Sequence, residues 1–204
     1  VMPYLLQGGL GMPEREYYLS ADAKMAGLRD KYRGYIAQVL TAAGQVDAAA
    51  KAERIFRLET KIATAHATRG ESEDFTKSAD EWARGDFAKL APGIDWEAFF
   101  AAAQLGKQQK FAAYHAKAIG RISALVASEP LDSWKDWLTF HQLSMNADVL
   151  PVKFDDARFG FYGTALSGTK AIRSRDKRAL DALDDAMGDA VGKLYTEKYF
   201  PASA

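Results

Sequence analysis

Three histidines are the side chains here with the most obvious capacity for metal chemistry, since the chain has no cysteine. That absence excludes disulfides, thiolate metal sites and cysteine nucleophiles. Zinc hydrolysis commonly places two histidines one helical turn apart, with a glutamate between them, so that all three act on one metal. His66, His115 and His141 have no histidine at i+4, so no HExxH motif is present. Each reads as a partly buried polar residue on a helix face, with His66 and His141 at or near apolar stripes.

Asp181, Asp185 and Asp189 recur at i, i+4 and i+8, with Asp184 beside them. Such a stripe could bind a hard cation, and an unrelated enzyme using it is one reading of the chain. Calcium, however, takes about six to eight oxygens from a curved loop, which a straight helix does not supply. The stripe therefore reads as a solvated helix face paired with Lys177, Arg178 and Lys193. The cluster Lys170, Arg173, Arg175, Lys177 and Arg178 could grip a phosphate or a partner. It adjoins those carboxylates and lacks interleaved aromatics, which argues against nucleic acid. No pair of carboxylates stands out for acid–base work. Gly8-Gly9-Leu10-Gly11 is followed by Met12-Pro13 rather than the Gly-Lys-Ser/Thr of a phosphate loop. Trp134 and Trp137 read as core packing. No catalytic, cofactor-binding or metal-ligating residue is assigned from these patterns.

The elements that carry these residues are helical. Met25, Leu28, Tyr32, Ile36, Val39 and Leu40 step by three or four and stop at Gly44. Asp47 can cap a second helix, whose stripe is Ala52, Ile55, Phe56, Ile62 and Ala63 and whose end lies near Gly70. Phe75, Trp82, Phe87 and Leu90 anchor short helical turns. Pro92-Gly93 breaks the chain, and Asp95 caps a helix carrying Trp96, Phe99 and Phe100. Phe111 to Tyr114 is briefly extended. Helical spacing resumes at Ile119, Ile122, Leu125 and Val126. Asp132 or Ser133 then caps a helix with Trp134, Trp137, Leu138, His141 and Met145 on one side. The last helix aligns Leu180, Leu183, Met187, Ala190, Val191 and Leu194 and ends at Pro201. No strand ladder is evident. The expected class is all-α, a multi-helix bundle of amphipathic helices with short loops and little or no β.

Composition narrows the function further. Lysine plus arginine (27) balances aspartate plus glutamate (27), so no global field draws in nucleic acid or an anionic membrane. A hydrophobic content of 48% with 26% charged residues is globular rather than disordered. No apolar run approaches the roughly 18 residues of a membrane span. Val1 to Gly9 lacks the basic region and apolar core of a signal peptide, and it reads as the middle of a longer protein or a trimmed piece.

Six stretches resemble one family in order. They are Gln7-Gly8-Gly9-Leu10-Gly11-Met12-Pro13-Glu14-Arg15-Glu16-Tyr17-Tyr18-Leu19 (like GLGLPxRDYY, with Met12 for Leu and Glu16 for Asp), Leu58-Glu59-Thr60-Lys61-Ile62-Ala63 (like LExxIA), and Ala91 through Trp96. Then follow Pro130 through Leu138, Phe159 through Thr169, and Ala190 through Phe200 (like AVGxLYVExxF). Together they are similar to the neprilysin-like (M13) zinc metallopeptidases. The resemblance implies two largely helical lobes around a closed cavity, with zinc ligands and general base in HExxH and ExxxD motifs downstream of the last stretch. Ala204 precedes both, and the NAFY-like substrate-binding segment is missing too, so no catalytic or zinc-binding residue carries over. By resemblance, residues 1–19 are a connector and residues 20–204 a non-catalytic helical cap domain that limits access to small peptides. The parent would hold zinc and this chain no cofactor. Its partners would be the catalytic lobe and small peptide substrates, in the periplasm, the cell envelope or outside the cell. The alternative is a self-contained helical binding module without enzymatic activity. An excised lobe would also leave an apolar patch exposed near the chain ends.

Overall fold

A computed structural model describes residues 2–74 and 80–200. Phe75, expected to anchor a helical turn, lies outside the described residues. The chain opens with strand β1 (Tyr4–Leu5) and a single turn, α1 (Glu16–Leu19). Two long helices follow, α2 (Ala23–Ala42) and α3 (Ala48–Ala65), packed as a hairpin. The Asp22 carboxylate caps α2 by accepting from the amides of Lys24 (2.8 Å) and Met25 (3.2 Å). Gly44 supplies the left-handed residue just beyond its end, at φ +74°. The predicted stripe is the buried one: Leu28, Tyr32, Ile36, Val39 and Leu40 all point inward, with Tyr35 beside them. α3 ends at Ala65, short of Gly70, which falls inside the brief α4 (Arg69–Glu73).

The next stretch departs from an all-helical reading. Strand β2 (Asp80–Ala83) precedes α5 (Phe87–Leu90) and α6 (Trp96–Ala102), and strand β3 (Lys110–Ala113) precedes α7 (Ala116–Ser128). The three strands form one small sheet in the order β1-β3-β2, with β1 parallel and β2 antiparallel to the central β3. Trp82, expected in a helical turn, is therefore a strand residue paired with Phe111. Phe111, Ala112 and Ala113 are all buried, so β3 shows no inside–outside alternation by which a strand is usually recognised. The fold remains mainly helical.

α8 (Leu131–Met145), α9 (Val152–Arg158) and a π-helical segment (Phe159–Leu166) complete the main body, and α10 (Arg175–Tyr199) follows. α8 starts at Leu131, with Pro130 at the N-cap position and no side-chain cap, so Asp132 and Ser133 lie in its first turn and Ser133 is buried. The wide π turn puts two consecutive aromatics against Tyr35: Phe161 stacks on it at 5.5 Å and Tyr162 meets it edge-on at 5.6 Å.

Two apolar cores result. The larger joins α1, α2, α3, α8, α9 and the π segment through residues such as Tyr32, Ile36, Ile55, Phe140 and Phe161. The smaller is mostly aromatic. Trp82, Trp96, Phe100 and Phe111 surround Phe87 at centroid distances of 5.0, 4.8, 5.1 and 5.2 Å. α10 has no buried residue and is kinked at Met187, with Leu180, Leu183, Met187, Leu194 and Tyr195 exposed.

Candidate functional site

The glycine-rich stretch between β1 and α1 is heavily constrained. Residues 7–13 form an irregular strap, bent at residues 11–13, whose backbone is held by side chains from distant helices. The His66 Nε2 is 2.9 Å from the Gly8 carbonyl, Trp137 Nε1 donates to the Gly9 carbonyl at 3.2 Å, and Tyr162 Oη donates to the Gly11 carbonyl at 2.8 Å. The amides of Gly11 (3.1 Å) and Met12 (2.9 Å) donate to Tyr18 Oη, and the Ala67 amide donates to Gln7 Oε1 at 2.7 Å. Close approach explains the glycine at position 11, where a Cβ would sit 1.8 Å from Tyr32 Oη.

Beneath the strap lies a buried carboxylate. Glu59 on α3 is fully buried, and its oxygens accept from Tyr18 Oη (2.6 Å) and Tyr32 Oη (2.9 and 3.2 Å). His141 Nε2 on α8 is 2.7 Å from Oε1. One carboxylate thus binds groups from α1, α2 and α8, and through Tyr18 it reaches the strap. Burial pushes the Tyr18 and Tyr32 hydroxyls well above the usual tyrosine range, and the adjacent Glu59 carboxylate pushes them further. Both phenols therefore stay protonated and act as donors. Burial, followed by Tyr35 and Glu59, does the same to Tyr162. A carboxylate closed off from solvent is a packing hub rather than an acid or base that meets a substrate.

The three histidines serve three different parts of the fold. His66 caps the C-terminus of α3 and holds the strap, and its burial lowers its pKa. His141 serves the hub. His115 precedes α7, and its two ring nitrogens are buried without hydrogen-bond partners. Desolvation lowers its pKa too, with His66 as a smaller cause. Among the described residues no group of three or more His, Asp or Glu is placed to hold a metal ion.

Asp181 of the acidic stripe pairs with Arg173, whereas Arg178 leaves the stripe to bind the largely buried Asp155 of α9 at 2.6 Å. Lys193 pairs with Glu197 at 3.8 Å. The basic cluster borders a wide cleft of about 830 Å³ in which Arg158, Arg173, Arg175 and Arg178 face Asp148, Asp155, Asp181 and Asp185. Opposite charges in equal number make this a neutral cleft, not an anion site. Trp137 packs on the larger core, and Trp134 meets it edge-on at 5.8 Å. Ile55, Glu59 and Ile62 share one helical face, and a glutamate on an apolar stripe is the sequence signal of a buried acid.

Comparison with known proteins gives this arrangement a context. The profile of Peptidase family M13 matches residues 1–204. Endothelin-converting enzyme 1 of Bos taurus is 22% identical over 201 residues, covering 95% of this chain and 26% of that protein; the Homo sapiens enzyme gives the same figures. The zinc metalloprotease Zmp1 of Mycobacterium tuberculosis in its open state superimposes with a TM-score of 0.91 at 28% identity, over 97% of this chain and 31% of that one. Zmp1 in complex with an inhibitor gives 0.89 at 28% identity, over 97% and 30%. This chain spans about a quarter to a third of the length of these relatives.

Proposed function

Because this chain belongs to peptidase family M13, we propose that it is the non-catalytic helical lobe of a zinc-dependent endopeptidase. In that role residues 20–204 cap a central cavity and restrict entry to small peptides, while residues 1–19 connect the cap to the rest of the enzyme. The observation that carries this reading is the close match of 97% of the chain to 31% of a zinc metalloprotease, at a TM-score of 0.91. The character of the site supports it: the residues that converge are structural donors around a buried acid, and none offers a nucleophile or a metal cage to solvent. A cap needs rigidity and a face for its partner lobe. The strap and hub supply the first. The exposed apolar stripe of α10 fits the second.

Zinc, the catalytic lobe and peptide substrates belong in this proposal to the parent protein, which would work in the periplasm, the cell envelope or outside the cell. No helix among the described residues is long and apolar enough to cross a membrane. The test is to read the encoding gene beyond codon 204, express the longer product, and assay zinc content and chelator-sensitive peptide hydrolysis beside the isolated chain. HExxH and ExxxD downstream, with activity only in the longer product, are expected. Stoichiometric zinc or chelator-sensitive hydrolysis in the isolated chain would overturn the non-catalytic assignment, and a stop codon there would favour a free binding module.

A further inference from the structure

His66 sits where a positive charge has no counterpart. It follows the last residue of α3, is 8% exposed, and places its Nε2 2.9 Å from the Gly8 carbonyl of the strap. A carbonyl oxygen only accepts, so Nε2 carries a proton and the neutral ring already holds the strap. The charged groups around it are Glu14, Arg15 and Glu16 at the entry to α1, Arg69 and Glu73 of α4, and His115 at the entry to α7. The carboxylates are engaged elsewhere: Glu16 binds Arg15 at 3.0 Å, Glu73 binds Arg69 at 2.8 Å, and Glu14 acts on Arg69 as well. A helix C-terminus ordinarily favours a cation, but Arg15 fills that place, its Nε donating to the Ala63 carbonyl at 3.3 Å. Burial is the largest obstacle to charging His66; the bond to Gly8 works the other way, and Arg15 adds to the obstacle. A charge on His66 also resists one on His115.

The strap is held in two unlike halves. Residues 7 and 8 depend on the end of α3: Gly8 on His66, and Gln7 through its Oε1, which accepts from the Ala67 amide at 2.7 Å. Gly9, Gly11 and Met12 are held by Trp137, Tyr162 and Tyr18, an indole and two phenols that take no charge as the pH falls. Acid therefore acts on the first half and not on the second. An imidazolium regains water only by leaving its buried place, and it cannot leave without releasing Gly8. Gly8 has room to lift, since a Cβ built on it would meet nothing within 4 Å.

We propose that His66 and Gly8 form an acid-operated latch: near neutral pH the ring clasps the strap to the end of α3, and in acid it turns to solvent and frees residues 7 and 8 while residues 9–12 stay clasped. The freed ring binds a proton that the clasped ring resists. The latch is therefore at full strength above about pH 6.5 and weakens as the pH falls below it. It depends on this chain's own contacts; its consequence, slack in the connector to the rest of an enzyme, rests on the proposed function.

The test is amide exchange of the ¹⁵N-labelled chain at pH 7.5 and 5.5, each rate taken against that of the unstructured sequence at the same pH. Protection of the Ala67 amide, which reports on residue 7, is expected to fall about three- to tenfold in acid, tenfold being the limit one pH unit below 6.5. The fall should be indifferent to low urea, as local opening is. His66→Gln keeps a side-chain N–H for Gly8 but cannot titrate, and should abolish the fall, with Ile36 protection showing that the variant is folded. His115→Phe should retain it. Equal Ala67 protection at both pH values, a fall that persists in His66→Gln, or one that vanishes in His115→Phe overturns the latch. So does opening of Ala67 at the same free energy as Ile36, which would make the effect global unfolding. In the unaltered chain the His66 ring resonance should titrate below pH 6.5, and a midpoint at or above it also overturns the latch. Failure here with zinc-dependent hydrolysis intact in the longer product removes the latch alone. A working latch without such hydrolysis removes the peptidase reading alone.

Discussion

Glu59 sets the terms at the residue scale. Replacing it with leucine leaves the hydroxyls of Tyr18 and Tyr32 and the His141 ring facing an apolar side chain. Glu59→Leu is expected to destabilise by roughly 3–5 kcal/mol, because it orphans several buried donors at roughly 1–3 kcal/mol each. Glu59→Gln keeps one acceptor oxygen and is expected to cost roughly 1–3 kcal/mol. Urea midpoints of the two variants decide it; a leucine variant as stable as the parent sequence would show that the hub is dispensable. A second prediction concerns pH. Burial lowers the pKa of His66 and of His115 below the ordinary 6.5. The unfolded chain then binds protons that the folded chain resists, so stability is full above about pH 6.5 and falls as the pH drops below it. Denaturation at pH 7.5 and 5.5 should show the lower midpoint in acid. His115→Phe, at a ring whose nitrogens have no partners, should lessen the difference; an unchanged difference would exclude His115 as a source. At this scale the sequence is partly readable. The histidine spacing shows no HExxH motif, but Glu59 finds its partners 41, 27 and 82 residues away, and nothing local announces them.

Among the elements, α10 differs from the others. It is the longest helix of the described residues, yet it buries no side chain, and its apolar stripe faces outward on both sides of the Met187 kink. Most helical stability in proteins comes from packing one face, and α10 lacks that support here. Removing residues 175–204 is therefore expected to move the urea midpoint of the main body by no more than about 0.5 kcal/mol. The same truncation should abolish any concentration dependence of sedimentation, since the exposed stripe goes with it. A large loss of stability would mean that α10 braces the body through its Arg178–Asp155 link. Helices with one buried stripe, such as α2 and α7, are legible because their period is 3.6 and their stops are glycine or proline. The sheet is legible only at Phe111 to Tyr114, which reads as extended, because its strands have two to four residues, β3 is buried without alternation, and the β1–β3 pairing joins segments about a hundred residues apart.

For the whole molecule, the two cores predict two levels of resistance to opening. The smaller one rests on short strands and short helices, so amide exchange at Phe111, Ala112 and Ala113 should report a lower opening free energy than at Ile36, Val39 and Leu40 of α2. Native-state exchange at low denaturant measures both, and equal values would mean that the cores open as one unit. The overall match to family M13 was readable because six short stretches keep their order, while the arrangement of the cores was not, since it depends on contacts between their ends. The strap shows what such contacts imply for the time course of folding. Its Gly9 and Gly11 carbonyls are bound by Trp137 and Tyr162, 128 and 151 residues later in the chain. On the ribosome the strap emerges long before either side chain exists, so it must wait unclasped while α2 and α3 form beneath it. Loop closure of that length makes its docking a late and slow event. Until Tyr162 has been synthesised, the glycine strap is a loose end, and a chaperone or a protease would meet it as one.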